Sequence, residues 1–263
     1  MLPTPLRLLF CAAFIFADAP AKADSLQADY RITLLGLPIG NANLSVDLTR
    51  THYAINARAA LSGLASMVSN SKGATNGSGA IVNGRISPSD YATTASNSSM
   101  TRTIRMTMAG NAQTGVDISP PFDDKPDRVP LTGKDLHDIV DPAGAFILPG
   151  VGDQPLVGAS ACDRTISILD GYTRFDVTLA YVGMRDVKVK GYSGPVAICS
   201  ARYIPIAGHR PNRPGTKFMA ENKGLEVWLA PVESAHVLLP LRVSVLTMIG
   251  TLVIEASNFT VTK

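Results

Sequence analysis

The stretch Ile166-Ser-Ile-Leu-Asp170-Gly171-Tyr-Thr-Arg-Phe175-Asp-Val-Thr-Leu-Ala-Tyr181 decides the fold class. Asp-Gly between two alternating runs is the signature of a two-residue type I′ hairpin, because both central residues need positive φ and the twist of that turn matches the twist of the strands. Such a turn sets the register, pairing Leu169 with Tyr172, Ile166 with Phe175, Arg164 with Val177 and Cys162 with Leu179. Counted that way, Cys162, Ile166, Ile168, Phe175, Val177, Leu179 and Tyr181 share one face. Asp163, Thr165, Ser167, Arg174, Asp176 and Thr178 share the other. Turn chemistry and periodicity therefore agree on antiparallel strands with one apolar face. The stretch carries no catalytic or ligand-binding signature.

The same alternation recurs on both sides. Residues 30–35 are predicted to form a strand that turns through Gly36-Leu-Pro-Ile-Gly40 into residues 42–48, where Ala42, Leu44, Val46 and Leu48 oppose Asn43, Ser45 and Asp47. Tyr53, Ile55, Ala57 and Ala59 then alternate with Ala54, Asn56 and Arg58. Residues 63–84, rich in Ser, Gly, Ala and Asn, are either a flexible loop or a strand of small residues lying close to another backbone. Residues 88–97 and 100–109 return to strand character, and the stripe Met100, Ile104, Met106, Met108 reads as core filler or as the lining of a soft ligand cavity. Residues 119–130 hold four prolines and no periodicity, which predicts a surface loop or crossover. Asp141-Pro142 predicts a helix over 143–148, stopped by Pro149-Gly150. Strands follow at 186–190, 196–204, 225–229, 241–248 and 252–261, with a basic Gly/Pro loop at 208–215. About a dozen strands with one or two short helices predict an all-β class: a curved antiparallel sheet forming an open or closed barrel-like, or two-sheet, architecture.

A chain of 263 residues with 46% hydrophobic content can bury a substantial core. Residues 1–23 are predicted to be a signal peptide: Arg7 supplies the positive region, residues 8–17 are an unbroken apolar run, and Ala21-Lys22-Ala23 is a cleavage site. The mature chain is then 24–263, expected to form a single β domain in the periplasm. The apolar run is about half the length of a membrane span, so an uncleaved anchor is the weaker alternative. Cys11 follows Phe10 without the small residues that precede a lipidated cysteine, which predicts no lipid anchor. No comparable apolar run occurs downstream, so no transmembrane segment is expected after cleavage.

The formal net charge is +3, and setting aside Arg7, Lys22 and Asp18 leaves 22 basic against 20 acidic residues. Scattered charge near neutrality argues against a nucleic-acid partner. The two cysteines beyond the leader, Cys162 and Cys199, are expected to form a disulfide, with two buried thiols as the alternative. Closing a loop of roughly 38 residues stabilises by about 4 kcal/mol in the chain-entropy treatment. Neither cysteine has an adjacent histidine or a C-x-x-C partner, so a catalytic thiol is not expected.

With these residues in view, the chain resembles the bacterial exported family DUF3108 over most of its predicted mature length. The resemblance rests on Tyr30 through Gly40, the Gly-rich segment before Pro88-x-x-Tyr91, Asp141-Pro142 after the proline-rich loop, and Asp170-Gly171 leading to Phe175-Asp176. It extends to Cys199 with Tyr203-Ile-Pro205-Ile206-Ala-Gly208, and to Pro240-x-Arg242. These spacings are structural, and the family brings no known reaction. What the resemblance implies is a predominantly β envelope protein, similar in general character to periplasmic curved-sheet proteins that hold apolar ligands.

Few constellations suggest chemistry. Asp135, His137, Asp138 and Asp141 are the densest polar cluster, but one histidine without a second nitrogen ligand at fixed spacing predicts no metal site. Gly158-Ala-Ser160-Ala-Cys162 lacks the closing glycine of a nucleophile elbow. His52, His209 and His236 fall in separate regions, without a motif-defined serine or cysteine partner, and no catalytic residue is assigned. His209, Arg210, Arg213 and Lys217 form a loop that could bind an anion, the ordinary alternative being a solvated loop with two prolines, Pro211 and Pro214. The absence of phosphate-loop and dinucleotide fingerprints predicts no cofactor. The expectation is a non-catalytic envelope protein that holds a lipid or other apolar ligand in a curved β groove. A structural or partner-binding protein with a solid core is the alternative, and an enzyme of unrecognised type the third.

Overall fold

A computed structural model of the chain describes residues 24–63, 65–66 and 69–262, so the leader expected at 1–23 lies outside the described residues. Fourteen strands make one antiparallel sheet. They are β1 (Asp24–Leu34), β2 (Leu37–Leu48), β3 (His52–Leu61), β4 (Lys72–Val82), β5 (Arg85–Ser96), β6 (Thr101–Ala109), β7 (Ala112–Ser119), β8 (Leu148–Pro149), β9 (Arg164–Leu169), β10 (Arg174–Val189), β11 (Tyr192–Ala207), β12 (Leu225–Val232), β13 (Val237–Thr247) and β14 (Gly250–Thr262). The order runs β7-β6-β5-β4-β3-β2-β1-β14-β13-β12-β11-β10-β9, with β8 pairing β13 from outside this path. Nearly every neighbour in the sheet is a neighbour in sequence; the β1–β14 pair joins the two ends of the chain.

Tight turns set most registers. Leu35-Gly36, Asn83-Gly84 and Gly110-Asn111 each carry positive φ at both positions, which is the two-residue geometry that matches strand twist. The first of these is shorter than the turn expected across 36–40. At Asp170-Gly171, where that same turn was expected, the chain does otherwise. The Asp170 carboxylate accepts the backbone N–H of Tyr172 (2.9 Å) and Thr173 (2.6 Å), and this capture opens a four-residue loop. Leu169 therefore pairs with Arg174, Ile168 with Phe175, Ile166 with Val177 and Arg164 with Leu179. The shift from the expected register is two residues, one full side-chain period, so the same residues still share a face. Two members of that face sit differently: Cys162 ends a 3-10 turn (Ala159–Ala161) ahead of β9, and Tyr181 is exposed.

The helix expected over 143–148 is a single 3-10 turn, Gly144–Phe146. Its N-cap residue is Ala143 rather than Asp141, whose Oδ1 accepts from the Ala143 and Gly144 amides, and Leu148 and Pro149 are drawn out to pair with Leu238 and Val237. An α-helix, α1 (Pro214–Glu221), begins where a basic loop was expected, with proline at its first turn.

The terminal strands β7 and β9 do not pair with each other; the segment 120–150 spans the seam between them. Phe122, just past β7, stacks on Tyr172 of the β9–β10 loop at 3.8 Å and 14°. Arg102 covers the outer side of the Phe122 ring and Arg128 that of Tyr172, each at 3.9 Å, giving a four-layer stack. Farther along, Val140 pairs in parallel with Ile168, and the Ile139 N–H bonds the Asn111 carbonyl at 3.0 Å. One connecting segment thus ties both sheet edges together. The curved sheet encloses a main core that includes Leu26, Leu48, Ile55, Met106, Leu239 and Phe259. A second cluster, with Leu148, Leu156, Leu179, Leu229 and Leu238, packs against the opposite side of β10–β13. Cys162 and Cys199 lie inside it as a disulfide with Cα atoms 5.6 Å apart.

Candidate functional site

Along β2–β5 the inward residues shrink toward one end. Three cross-strand rows show this: Val46, Ile55, Gly77 and Tyr91; then Leu44, Ala57, Thr75 and Thr93; then Ala42, Ala59, Gly73 and Ala95. The first row is packed solid, whereas the last two leave space. A groove of about 350 Å³ opens there, lined also by Tyr30, Pro240, Val243 and Ile254 and by Ala143 and Phe146 of the segment that crosses the interior. A second cavity of about 550 Å³ shares Ala59, Gly73, Thr93 and Ala95 with it and reaches Met100, Ile104 and the seam residues Arg102 and Phe122. The Tyr30 hydroxyl is turned away from the groove's chemistry by donating to the Pro240 carbonyl at 2.7 Å. The methionine stripe divides accordingly: Met106 and Met108 are buried core, and Met100 is exposed at the cavity.

Gly77 explains how the interior segment fits. A Cβ there would stand 2.9 Å from the Ala143 Cβ and 3.1 Å from Asp141 Oδ1, so only glycine lets residues 141–144 approach β4. This is the close-backbone alternative for 63–84, realised in β4. Asp141 is fully buried. Its Oδ1 accepts from the N–H of Ala143 (2.8 Å) and Gly144 (2.9 Å). Its Oδ2 and the Tyr53 hydroxyl meet no hydrogen-bond partner among the described residues, and both lie 2.9 Å from where a Gly144 Cβ would stand. Burial pushes the Asp141 carboxyl up to about 6 against the lowering effect of those backbone bonds, and burial with the nearby carboxylate raises the Tyr53 phenol. Through Oδ1, Asp141 holds the start of the interior segment under the groove.

The other polar residues singled out in the sequence are dispersed. Asp135 Oδ2 accepts from Thr132 N–H and Oγ1, holding a 3-10 turn, while Asp141 is in the core. Among the described residues no three His, Cys, Asp or Glu converge on one point. In the 208–217 loop, Arg210 Nε donates to Asp127 Oδ1 at 2.7 Å, which holds that carboxyl below its ordinary range. The His209 carbonyl accepts from Val129, Arg213 precedes α1, and Lys217 lies on the helix; Arg213 and Lys217 are exposed. Sequence reasoning missed Arg58, Lys72 and Arg102 as groove-lining cations; the run of alternating small residues in β4 was the available signal.

The model of DUF3108, a family described as proteins of unknown function, matches residues 29–257. The chain belongs to the DUF3108 family. No curated protein matches it at a significant level. Among solved structures, this DUF3108 chain is similar to a β-barrel-like protein of the domain of unknown function DUF1849 from Brucella abortus. The TM-score is 0.50 at 8% identity, covering 92% of this chain and 100% of that one, a likeness of fold. Among the described residues, no helix is long and apolar enough to cross a membrane.

Proposed function

We propose that this protein is an exported, non-catalytic binding protein of the bacterial periplasm that holds an apolar ligand in the groove between β2–β5 and the interior segment 141–146. The observation that carries this reading is the taper of the inward rows from Val46-Ile55-Gly77-Tyr91 to Ala42-Ala59-Gly73-Ala95. Side chains large enough to fill the sheet's interior are present at one end and withheld at the other. The two resulting cavities, about 350 and 550 Å³, fall in the usual size range of ligand sites, which favours binding over a solid core. Their linings supply no histidine, cysteine or carboxylate, the groups that acid–base or nucleophilic chemistry draws on.

The mouth end adds support. No charged residue occurs from Ile32 to Val46 or from Val243 to Ile254, four sheet-adjacent strand halves that end at the same rim. Their turns present Leu37 (68% exposed) and Ile249 (71% exposed). Apolar turns beside an apolar opening suit the exchange of a poorly water-soluble ligand. Periplasmic residence rests on the leader-like residues 1–23 and on a disulfide, which persists in oxidising compartments.

The test is titration with the neutral fluorophore N-phenyl-1-naphthylamine. Enhanced, blue-shifted emission is expected with the wild-type mature chain and its loss with Ala57→Phe, which puts a ring into the groove. Emission identical to that of free dye, or enhancement unchanged in Ala57→Phe, would overturn the reading.

A further inference from the structure

The groove's lining is charged on one side only. Arg58, Lys72 and Arg102 border the connected cavities and no aspartate or glutamate does; of the three, Arg102 is in an inward row, and Arg58 and Lys72 hold the alternate, outward strand positions. Arg102 is the most informative of the three. Arg105, Arg174, Arg210 and Arg242 each meet a carboxylate, at 3.2, 2.6, 2.7 and 3.0 Å. Arg102 instead donates from Nε to the Pro120 carbonyl (2.9 Å) and from Nη2 to the Pro121 carbonyl (3.3 Å), and lies over the Phe122 ring. Neutral groups therefore fix the guanidinium in place, and among the described residues no carboxylate neutralises it. A cation held rigid in a partly apolar wall attracts an anion more strongly than the same cation in water. Arg102 stands in the inward row of the groove wall itself, since Ala59 pairs with Gly73, Gly73 with Ala95 and Ala95 with Arg102.

Resting on the reading of the groove as a ligand site, we propose that the ligand is a single-chain anionic amphiphile of the fatty-acid type. Its hydrocarbon lies along Ala57, Thr75 and Ala59, and its head group is held by Arg102 at the seam end. The apolar rows supply affinity without direction, and the Arg102 guanidinium supplies direction: the charged end faces the Phe122 seam.

The test compares cis-parinaric acid with its neutral methyl ester by fluorescence titration. The wild-type protein is expected to bind the acid at least tenfold tighter than the ester, a preference that shrinks as salt rises. Arg102→Gln should bring the two affinities together by weakening the acid alone, and Arg102→Lys should restore part of the difference. Because Arg102 also belongs to the seam stack, Met100→Glu, which sets a carboxylate at an exposed position of the cavity that Arg102 lines, serves as the second variant, expected to weaken the acid and leave the ester unchanged. Equal wild-type affinity for acid and ester, or acid binding untouched by both Arg102→Gln and Met100→Glu, would overturn the head-group assignment while leaving the groove intact. Failure of both probes to bind wild type, or ester binding that survives Ala57→Phe, would overturn the groove reading itself.

Discussion

The walls built by β2–β5 and by β10–β13 obey opposite rules. The second is packed on both sides: adjacent residues in one strand belong to different cores, Leu238 to the cluster under residues 148–163 and Leu239 to the main core, with Val196 and Ala197 dividing the same way. It also carries the disulfide. The first wall has one packed face, and along it the side chains dwindle from leucine, isoleucine and tyrosine to alanine, glycine and threonine. Stability is concentrated in one half of the sheet, and space is held open in the other. Changes in the two walls should therefore separate stability from binding.

The largest expected effect lies in the packed wall. Replacing Cys162 and Cys199 together with alanine should lower unfolding free energy by about 2–5 kcal/mol in urea titration, while the parinaric ester affinity of the folded fraction stays within twofold. Loss of binding in the still-folded double variant would show that the two walls are not independent.

Next comes Asp141, which props the interior segment against the open wall. Its carboxyl titrates near 6 when folded, against an ordinary value of 3.8, so the native state binds the proton more tightly than the unfolded chain. The stabilisation is fully present below pH 3.8 and is lost as pH rises through about 6, a difference of about 3 kcal/mol. Asp170 is also raised by burial and adds a change of the same sign, so the informative quantity is the comparison with Asp141→Asn. That variant keeps an acceptor for the Ala143 and Gly144 amides and should flatten the stability profile between about pH 4 and 6.5. A profile as steep as wild type would remove Asp141 from this role.

Much of this was legible in the sequence, and what was not has a physical cause. Alternation in Ala42–Leu48 and Tyr53–Ala59 announced the strands because one face of each is buried. The Cys162–Cys199 bridge followed from these being the two cysteines beyond the expected leader, and it lies inside the second core cluster. The turn at Asp170 was misjudged because a side chain, not backbone twist alone, captured the amides. The helix after Asp141 shrank to one 3-10 turn because Leu148 found a partner in Leu238, which is distant in sequence. The groove was hidden for a related reason: the small residues of β4 look like a loop until their neighbours across the sheet are known.

Two glycines on that same strand sharpen the contrast. Gly77→Ala forces a Cβ to 2.9 Å from Ala143 and should cost about 1–3 kcal/mol, read by thermal or urea unfolding. Gly73→Ala meets only the Thr94 carbonyl at 3.6 Å and should change stability by less than about 0.5 kcal/mol. Similar costs at both sites would mean that the mouth of the groove is packed as tightly as its base.

The central claim is that the tapered wall holds a ligand, and native mass spectrometry of the protein purified gently from its own cell envelope tests it most directly. One amphiphile-sized adduct is expected on wild type, released on denaturation and absent from Ala57→Phe of equal stability. A bare polypeptide mass for wild type, or the same adduct on Ala57→Phe, would contradict it.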